Sequence, residues 1–171
     1  MNIVYRKLQP GDSGIYREIR LESLKNDPDG FGSSYEDEVK AAKLGYETYI
    51  EEQTAGRFVF GAFDDEKLIG ICGYYQETSK KIRHRGTIIQ MYVNRNYRGQ
   101  KIGRTLLEKT IAEAFANKEV ELLVLGVVTE NKSAHFIYEQ AGFKEYGLLR
   151  NLLKEGDKYF DERLMVLYRS L

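Results

Sequence analysis

The sequence predicts an α/β fold with a mixed central sheet of about seven strands and helices on both faces of that sheet. In the middle of the chain a strand, a helix, a second strand and a second helix follow one another, which is the order of a parallel strand pair with its crossover helix. Segments typical of antiparallel hairpins flank this unit. From Arg57 onward the apolar pattern changes from a helical period to one typical of strands.

The first third of the chain predicts one strand and two helical segments. Residues 3–7 form a short strand, and after the turn Pro10-Gly11-Asp12 a helix is expected with Ser13 as its N-cap. Residues 26–34 are expected to be a loop. A weaker helical pattern covers 35–53 and ends before Gly56.

The remaining elements alternate between strands and helices. Strands are predicted at 57–63, 67–76, 86–93, 122–128, 144–153 and 158–168. The clearest helix follows the turn at 94–99, and its apolar stripe consists of Ile102, Leu106, Leu107, Ile111, Ala114 and Phe115. A shorter helix is predicted at 133–140 and stops at Gly142.

Length and composition restrict the classes of function. We expect the 171 residues to form one domain spanning 1–171. Lysine plus arginine equals aspartate plus glutamate at 26 each, so we expect neither nucleic acid nor a membrane as a partner. The lone Cys72 has no partner for a disulfide, and no early apolar run is long enough for a signal peptide. A cytoplasmic protein is therefore expected, and its oligomeric state stays open between monomer and homodimer.

The most informative stretch leaves a strand at Met91, turns through polar residues and enters the clearest helix near Ile102. The first N–H groups of a helix have no partner inside the helix and stand at the positive end of its dipole, so they can bind phosphate. Two glycines and three cations surround this turn, namely Gly99, Gly103, Arg98, Lys101 and Arg104. An ordinary helix entry with a solvated basic face has the same spacing. A P-loop and a dinucleotide fingerprint fit less well, because the required Ser or Thr and third glycine are missing.

These residues resemble the central motif of the GCN5-related N-acetyltransferases, which reads Arg or Gln, two residues, Gly, one residue, then Gly or Ala. Arg98 and Gly103 match the ends of this motif, and Lys101 replaces its first glycine. The resemblance covers nearly the whole chain. It includes the loop and helix at 27–38 and, further on, Asn131, Tyr138, Gly142, Phe143, Tyr159, Asp161, Glu162 and Met165.

The resemblance implies that acetyl-CoA lies in a cleft where two central parallel strands splay apart. Backbone groups at Met91, Tyr92 and Val93 would hold the pantetheine and thioester, and Asn131 would contact the cofactor. The pyrophosphate would be held by Arg98 and by the amides of Gly99, Gln100, Lys101, Ile102, Gly103 and Arg104. Tyr138 would protonate the departing thiolate as a general acid. The implied reaction is direct acetyl transfer to a primary amine of a small molecule or peptide, without metal or covalent enzyme intermediate.

Several alternatives stay open at this point. The chain could be a non-catalytic module that binds or senses acyl-CoA, and from the pattern alone Tyr138 is a core residue of a helix stripe. No general base is assigned, because the position of Glu77 favours a solvated turn carboxylate over a base, and members of the family often use water relays instead. An acidic group in the region of 27–38 could attract a cationic amine or simply form a helix first turn; it consists of Asp29, Glu36, Asp37 and Glu38.

Overall fold

The computed structural model describes residues 2–170. Its strands are β1 (Ile3–Lys7), β2 (Arg57–Asp64), β3 (Lys67–Gln76), β4 (Arg85–Val93), β5 (Leu122–Val128), β6 (Lys144–Glu155) and β7 (Lys158–Tyr168). Its helices are α1 (Ser13–Asn26), α2 (Tyr35–Glu38), α3 (Gly45–Glu52), α4 (Ile102–Ala116) and α5 (Lys132–Gln140). Short 3₁₀ turns occur at Pro10–Asp12, Pro28–Gly30 and Arg95–Tyr97.

The strands form one seven-stranded sheet in the order β1-β2-β3-β4-β5-β7-β6. All neighbouring strands are antiparallel except β4 and β5, which are parallel. The predicted mixed sheet with a central parallel pair is therefore confirmed. The parallel pair is short, because only residues 85–87 of β4 pair with residues 122–124 of β5.

Helices cover both faces of the sheet, and each face has its own core. On one face, α4 and α5 pack against buried side chains that include Ile88, Leu123 and Met165. On the other face, α1 and α3 pack against side chains that include Ile71 and Tyr92. We call these the α4 face and the α1 face. The predicted stripe of α4 forms part of the first core, since Leu106 and Leu107 are fully buried.

Two details of the N-terminal helices differ from the prediction. Ser13 is the first residue of α1 rather than its N-cap, a position taken by Asp12. The carboxylate of Asp12 accepts the Gln9 N–H at 2.7 Å and so serves the preceding 3₁₀ turn. The single helix predicted over 35–53 is interrupted between α2 and α3, where the backbone at Leu44 is extended and its side chain is buried.

The interruption between α2 and α3 is stabilised by α1. The guanidinium of Arg17 donates to the Ala41 carbonyl at 2.7 Å and to the Glu47 carboxylate at 2.8 Å. These contacts hold the connecting backbone in a non-helical path that local sequence preference does not encode. Among the described helices none is sufficiently long and apolar to cross a membrane.

Candidate active site

The site begins where the sheet splits. The pairing of β4 with β5 ends at Thr87 and Val124, and beyond this pair the two strands separate. A bulge then interrupts β4, because Gln90 and Met91 together lie opposite Cys72 of β3. Gln90 has a φ of 54°, in the left-handed region. A bulge leaves one residue unpaired and turns the strand, so it widens the separation between β4 and β5.

A cleft of 790 Å³ extends from this split to the N-terminus of α4. Its volume is in the range of sites that hold a large organic ligand. The cleft brings together all of the predicted site residues except Gln100, and its lining includes Met91, Tyr92, Val93, Arg98, Gly99, Lys101, Ile102, Gly103, Arg104, Asn131 and Tyr138. Met91 and Asn131, which are 40 positions apart in the sequence, therefore line the same cleft.

One end of the cleft is formed by the first turn of α4. Thr105 donates its N–H to the Lys101 carbonyl at 3.1 Å, and the amides before it have no intrahelical acceptor to reach. Lys101 is the N-cap and has a φ of 63°. This conformation is usual for glycine and explains why the family motif has glycine at this place. Gly103 lies against β4, since a Cβ atom there would be 3.3 Å from Cε of Met91.

The charged side chains at this end are held by an acidic residue of the α1–α2 loop. Arg98 donates through Nε to the Val93 carbonyl at 2.9 Å and forms an ion pair with Asp27. Arg95 reaches the same carboxylate at 3.0 Å. The predicted phosphate ligand Arg98 is thus paired with Asp27, and both residues line the cleft.

Tyr138 lines the same cleft from α5, on the α4 face. The residue is only 6% exposed, and its ring packs edge-on against Phe143 with ring centroids 6.1 Å apart. Burial raises the pKa of Tyr138 well above its ordinary value. The hydroxyl is therefore protonated at neutral pH and can donate a proton or hydrogen bond. Tyr138 therefore belongs to the apolar stripe of α5 and also lines the cleft.

Asn131 is the N-cap of α5. Its Oδ1 accepts the Ala134 N–H and the Ser133 hydroxyl, both at 3.1 Å. This cap starts α5 close to Asn131 and turns its seventh residue, Tyr138, toward the same cleft. The amide nitrogen of Asn131 is left to face the cleft, where the residue is exposed.

Three further features of the site were not predicted from the sequence. Gln90 accepts a hydrogen bond from the hydroxyl of Tyr16 at 2.9 Å. Since Tyr16 lies on α1, this helix stabilises the bulge in β4. Tyr92 donates to Glu22 at 2.7 Å, so its side chain belongs to the α1 face and only its backbone can serve the cleft. Burial first, and Glu22 as a further cause, raise the pKa of Tyr92 to about 12. The third feature is the carboxyl group of Glu162, which lies over Gly126, and a glycine within the apolar run of β5 was the available signal.

A split sheet, a helix end with free amides and a buried tyrosine in one cleft are the features expected of an enzyme that uses an extended, phosphate-bearing acyl carrier. A protein-family model described as "Acetyltransferase (GNAT) family" matches residues 18–143. The chain belongs to this family and is an acetyl-CoA-dependent acetyltransferase. The predicted membership of this family is thereby confirmed.

Individual relatives are distant. The chain is 28% identical over 103 residues to N-alpha-acetyltransferase 30 of Schizosaccharomyces pombe, covering 60% of this chain and 68% of that protein. It is 26% identical over 125 residues to spermidine N(1)-acetyltransferase of Vibrio cholerae, covering 73% and 70%. A putative acetyltransferase from Salmonella typhimurium, solved with its cofactor acetyl-CoA, superposes with a TM-score of 0.81 over 98% of this chain and 94% of that one at 17% identity. At this identity the superposition supports the fold alone.

Proposed function

We propose that this acetyltransferase transfers the acetyl group directly to a primary amine of a small molecule or peptide. The observation that carries the proposal is that the N-terminus of α4 and Tyr138 line one cleft, which lies at the split between β4 and β5. An anion site and a proton donor in one cleft match an acyl carrier that has both phosphates and a thioester.

The residues present fit acetyl-CoA. The first-turn amides of α4 would hold the pyrophosphate, and the close packing of Gly103 on Met91 leaves no Cβ atom in that cradle. The unpaired backbone of β4 from the bulge to Val93 would hold the pantetheine arm, and Asn131 would contact it from α5. When bound, acetyl-CoA supplies an activated acetyl thioester.

Tyr138 is proposed as the general acid that supplies a proton to the leaving sulfur. Its raised pKa keeps it protonated, and the residue lines the cleft. The lone cysteine does not offer a nucleophile, because Cys72 is completely buried in β3 and burial raises its pKa to about 12. Direct transfer is therefore favoured over a covalent acetyl-enzyme. An unpaired thiol also supports a cytoplasmic location.

The acceptor is proposed to enter from the α1 face, opposite Tyr138. The names of the relatives include an N-alpha-acetyltransferase and a spermidine acetyltransferase, and both names describe amine acceptors. On this chain Asp29 lies on the turn after α1, and Glu155 and Glu162 lie on the β6–β7 hairpin, a set of carboxylates that favours a cationic acceptor.

The proposal can be tested in two stages. In a thermal-shift assay, acetyl-CoA and CoA should raise the melting temperature, whereas ATP and NAD should not. A panel of polyamines, amino acids, aminoglycosides and peptides with free N-termini should then release CoA thiol at a rate above that of hydrolysis. Stabilisation by acetyl-CoA without turnover of any amine would instead favour a binding or sensing module.

A further inference from the structure

Gly126 is exposed to solvent although it lies in the middle of a central strand. The residues on either side of it, from Leu123 to Val128, are buried. A Cβ atom at position 126 would lie 2.2 Å from both Cδ and Oε1 of Glu162. Only glycine therefore leaves room for this carboxyl group, which lies directly over the backbone of β5.

The register of the sheet places Glu162 on the α1 face. Glu162 of β7 is paired with Val128 of β5, and paired residues of antiparallel strands point to the same face. The intervening Val127 belongs to the opposite core, together with Tyr138. Glu162 and Tyr138 thus lie on opposite sides of the sheet.

The same register brings Glu162 to the mouth of the split. The last parallel pair is Thr87 with Val124. Extending it by two residues places Gly126 level with Ile89, immediately before the bulge at Gln90. The carboxyl group over Gly126 therefore faces the point at which β4 and β5 separate. Tyr138, the proposed general acid, lies on the other side of the sheet.

The surroundings of Glu162 leave its carboxylate free for a ligand. Its paired neighbours across the flanking strands, Val128 and Leu149, are apolar. The adjacent charges on β7 are engaged elsewhere, since Asp161 accepts the Asn151 N–H at 2.8 Å and Arg163 donates to Glu145 at 2.7 Å.

Other charged groups lie on the elements around Gly126. Asp29, on the Pro28–Gly30 turn that packs near β5, raises the pKa of the Glu155 carboxyl on the β6–β7 hairpin. Glu22 of α1 accepts hydrogen bonds from Tyr92 and Asn94, both at 2.7 Å. Partial burial raises the pKa of the Glu162 carboxyl above its ordinary value, which makes it a stronger base.

We propose that Glu162 is the general base that deprotonates the acceptor amine, and that Gly126 is a positioning residue that keeps its carboxylate at the split. This inference rests on the proposed amine acceptor. It assigns the catalytic group that the sequence left open.

The proton transfers balance as follows. Glu162 removes one proton from the acceptor ammonium, which leaves a neutral amine and a carboxylic acid. The amine lone pair forms the new C–N bond with the acetyl carbon while the C–S bond breaks and its electron pair stays on sulfur. The sulfur receives a proton from Tyr138, which regains one from the nitrogen of the nascent amide, and Glu162 releases its proton to solvent.

The main test compares wild type with Glu162→Gln, using spermidine as the acceptor, or a tetrapeptide with a free N-terminus if spermidine is not acetylated. We expect kcat/KM at pH 7 to fall by about 10²-fold, with kcat affected and acetyl-CoA affinity unchanged. The deficit should shrink as pH rises toward 9, because the neutral fraction of an alkyl amine with a pKa near 10 grows about a hundredfold over that range. Glu66→Gln, which removes an exposed carboxylate of the β2–β3 turn, is the control.

A loss that is confined to KM, or one that is constant with pH, would overturn the base role. Activity within about twofold of wild type would do the same. A wild type that acetylates neither amine would instead contradict the proposed acceptor class, so the two failures are distinct.

Two further measurements address position and protonation without relying on Glu162→Gln. Gly126→Ala should fold, because the displaced group is the end of a flexible side chain, and should lower kcat about as much as Glu162→Gln. Gly147→Ala is the control, since its Cβ atom would be at an ordinary 3.6 Å from Leu164.

Carbon-13 NMR of the Glu162 carboxyl should show a pKa above the ordinary 4.3 or so and a shift on addition of the amine. An ordinary pKa with no response to the amine, or a fully active Gly126→Ala, would refute the assignment.

Discussion

At the scale of single residues, the site depends on side chains with two functions. Tyr138 belongs to the core under the α4 face and also lines the cleft. Tyr138→Phe keeps the ring that packs on Phe143 and removes only the hydroxyl. We expect kcat and kcat/KM to fall together by about 10²-fold, at the low end for general acid catalysis, because a thiolate is a good leaving group.

The measurement is steady-state kinetics with a rate-limiting chemical step, together with acetyl-CoA affinity by calorimetry. Affinity should stay at the wild-type value. Full turnover by a folded Tyr138→Phe protein would return the residue to a purely structural role.

Lys101 illustrates a residue whose backbone matters more than its side chain. Its φ of 63° is unfavourable for any residue with a Cβ atom, by about 1–2 kcal/mol. Lys101→Gly should therefore be more stable than Lys101→Ala by about 1 kcal/mol in urea unfolding, while both lose the same charge. Equal stability of the two variants would show that the N-cap of α4 relaxes out of the left-handed region.

At the scale of elements, the acidic segment at α2 separates into two groups. Glu38 accepts two hydrogen bonds of 3.1 Å from Arg20, a guanidinium that is only 3% exposed. The Asp37 carboxylate accepts the Ser34 hydroxyl at 2.7 Å as part of the N-cap of α2. Of the four acidic residues predicted to attract an amine, only Asp29 and Glu36 remain available near the hairpin tip.

We therefore expect different effects from two charge-neutralising variants of α2. Glu38→Gln should destabilise the fold by about 3 kcal/mol, because it leaves the buried Arg20 charge uncompensated. Glu36→Gln should change stability by less than about 0.5 kcal/mol and raise KM for a cationic acceptor. Denaturant unfolding measures the first effect and steady-state kinetics the second. An unchanged KM in Glu36→Gln would show that Glu36 does not contribute to binding of the acceptor.

Most helices and strands could be predicted from the sequence, whereas the break between α2 and α3 and the bulge in β4 could not. The apolar stripe from Ile102 and the run at 122–128 fix α4 and β5 through local periodicity alone. The break between α2 and α3 depends on Arg17, which is distant in sequence, and local preference cannot report it. The bulge at Gln90 and the carboxylate of Glu162 depend in the same way on strand register, so the α1 side of the site emerged only from the structure.

At the scale of the whole molecule, buried ionisable groups predict alkaline instability. Burial raises the pKa of Tyr16, Tyr46 and Tyr138 well above their ordinary range, and that of Cys72 to about 12. Below the unfolded pKa, near 8.5 for cysteine and 10 for tyrosine, each group is neutral in both states and pH has no effect through it. Above that value only the unfolded state ionises, so stability falls as pH rises toward the folded pKa.

The expected loss is up to about 1.4 kcal/mol per pH unit for each group. Urea unfolding between pH 8 and pH 11 measures it, and Tyr138→Phe should reduce the slope above pH 10 by one such contribution. A free energy of unfolding that stays constant from pH 9.5 to pH 11 would contradict the assignment.

The brevity of the parallel pairing has a mechanical consequence. Residues 85–87 and 122–124 form the only ladder between β4 and β5. The part of the sheet formed by β1–β4 is therefore joined to the part formed by β5–β7 through three residue pairs. A ligand that pairs with both strands across the gap would complete the ladder and tie β1–β4 to β5–β7 along the rest of their length. If acetyl-CoA does so, amide protons of 88–93 that face the gap should exchange early in the free protein and slowly once it is bound.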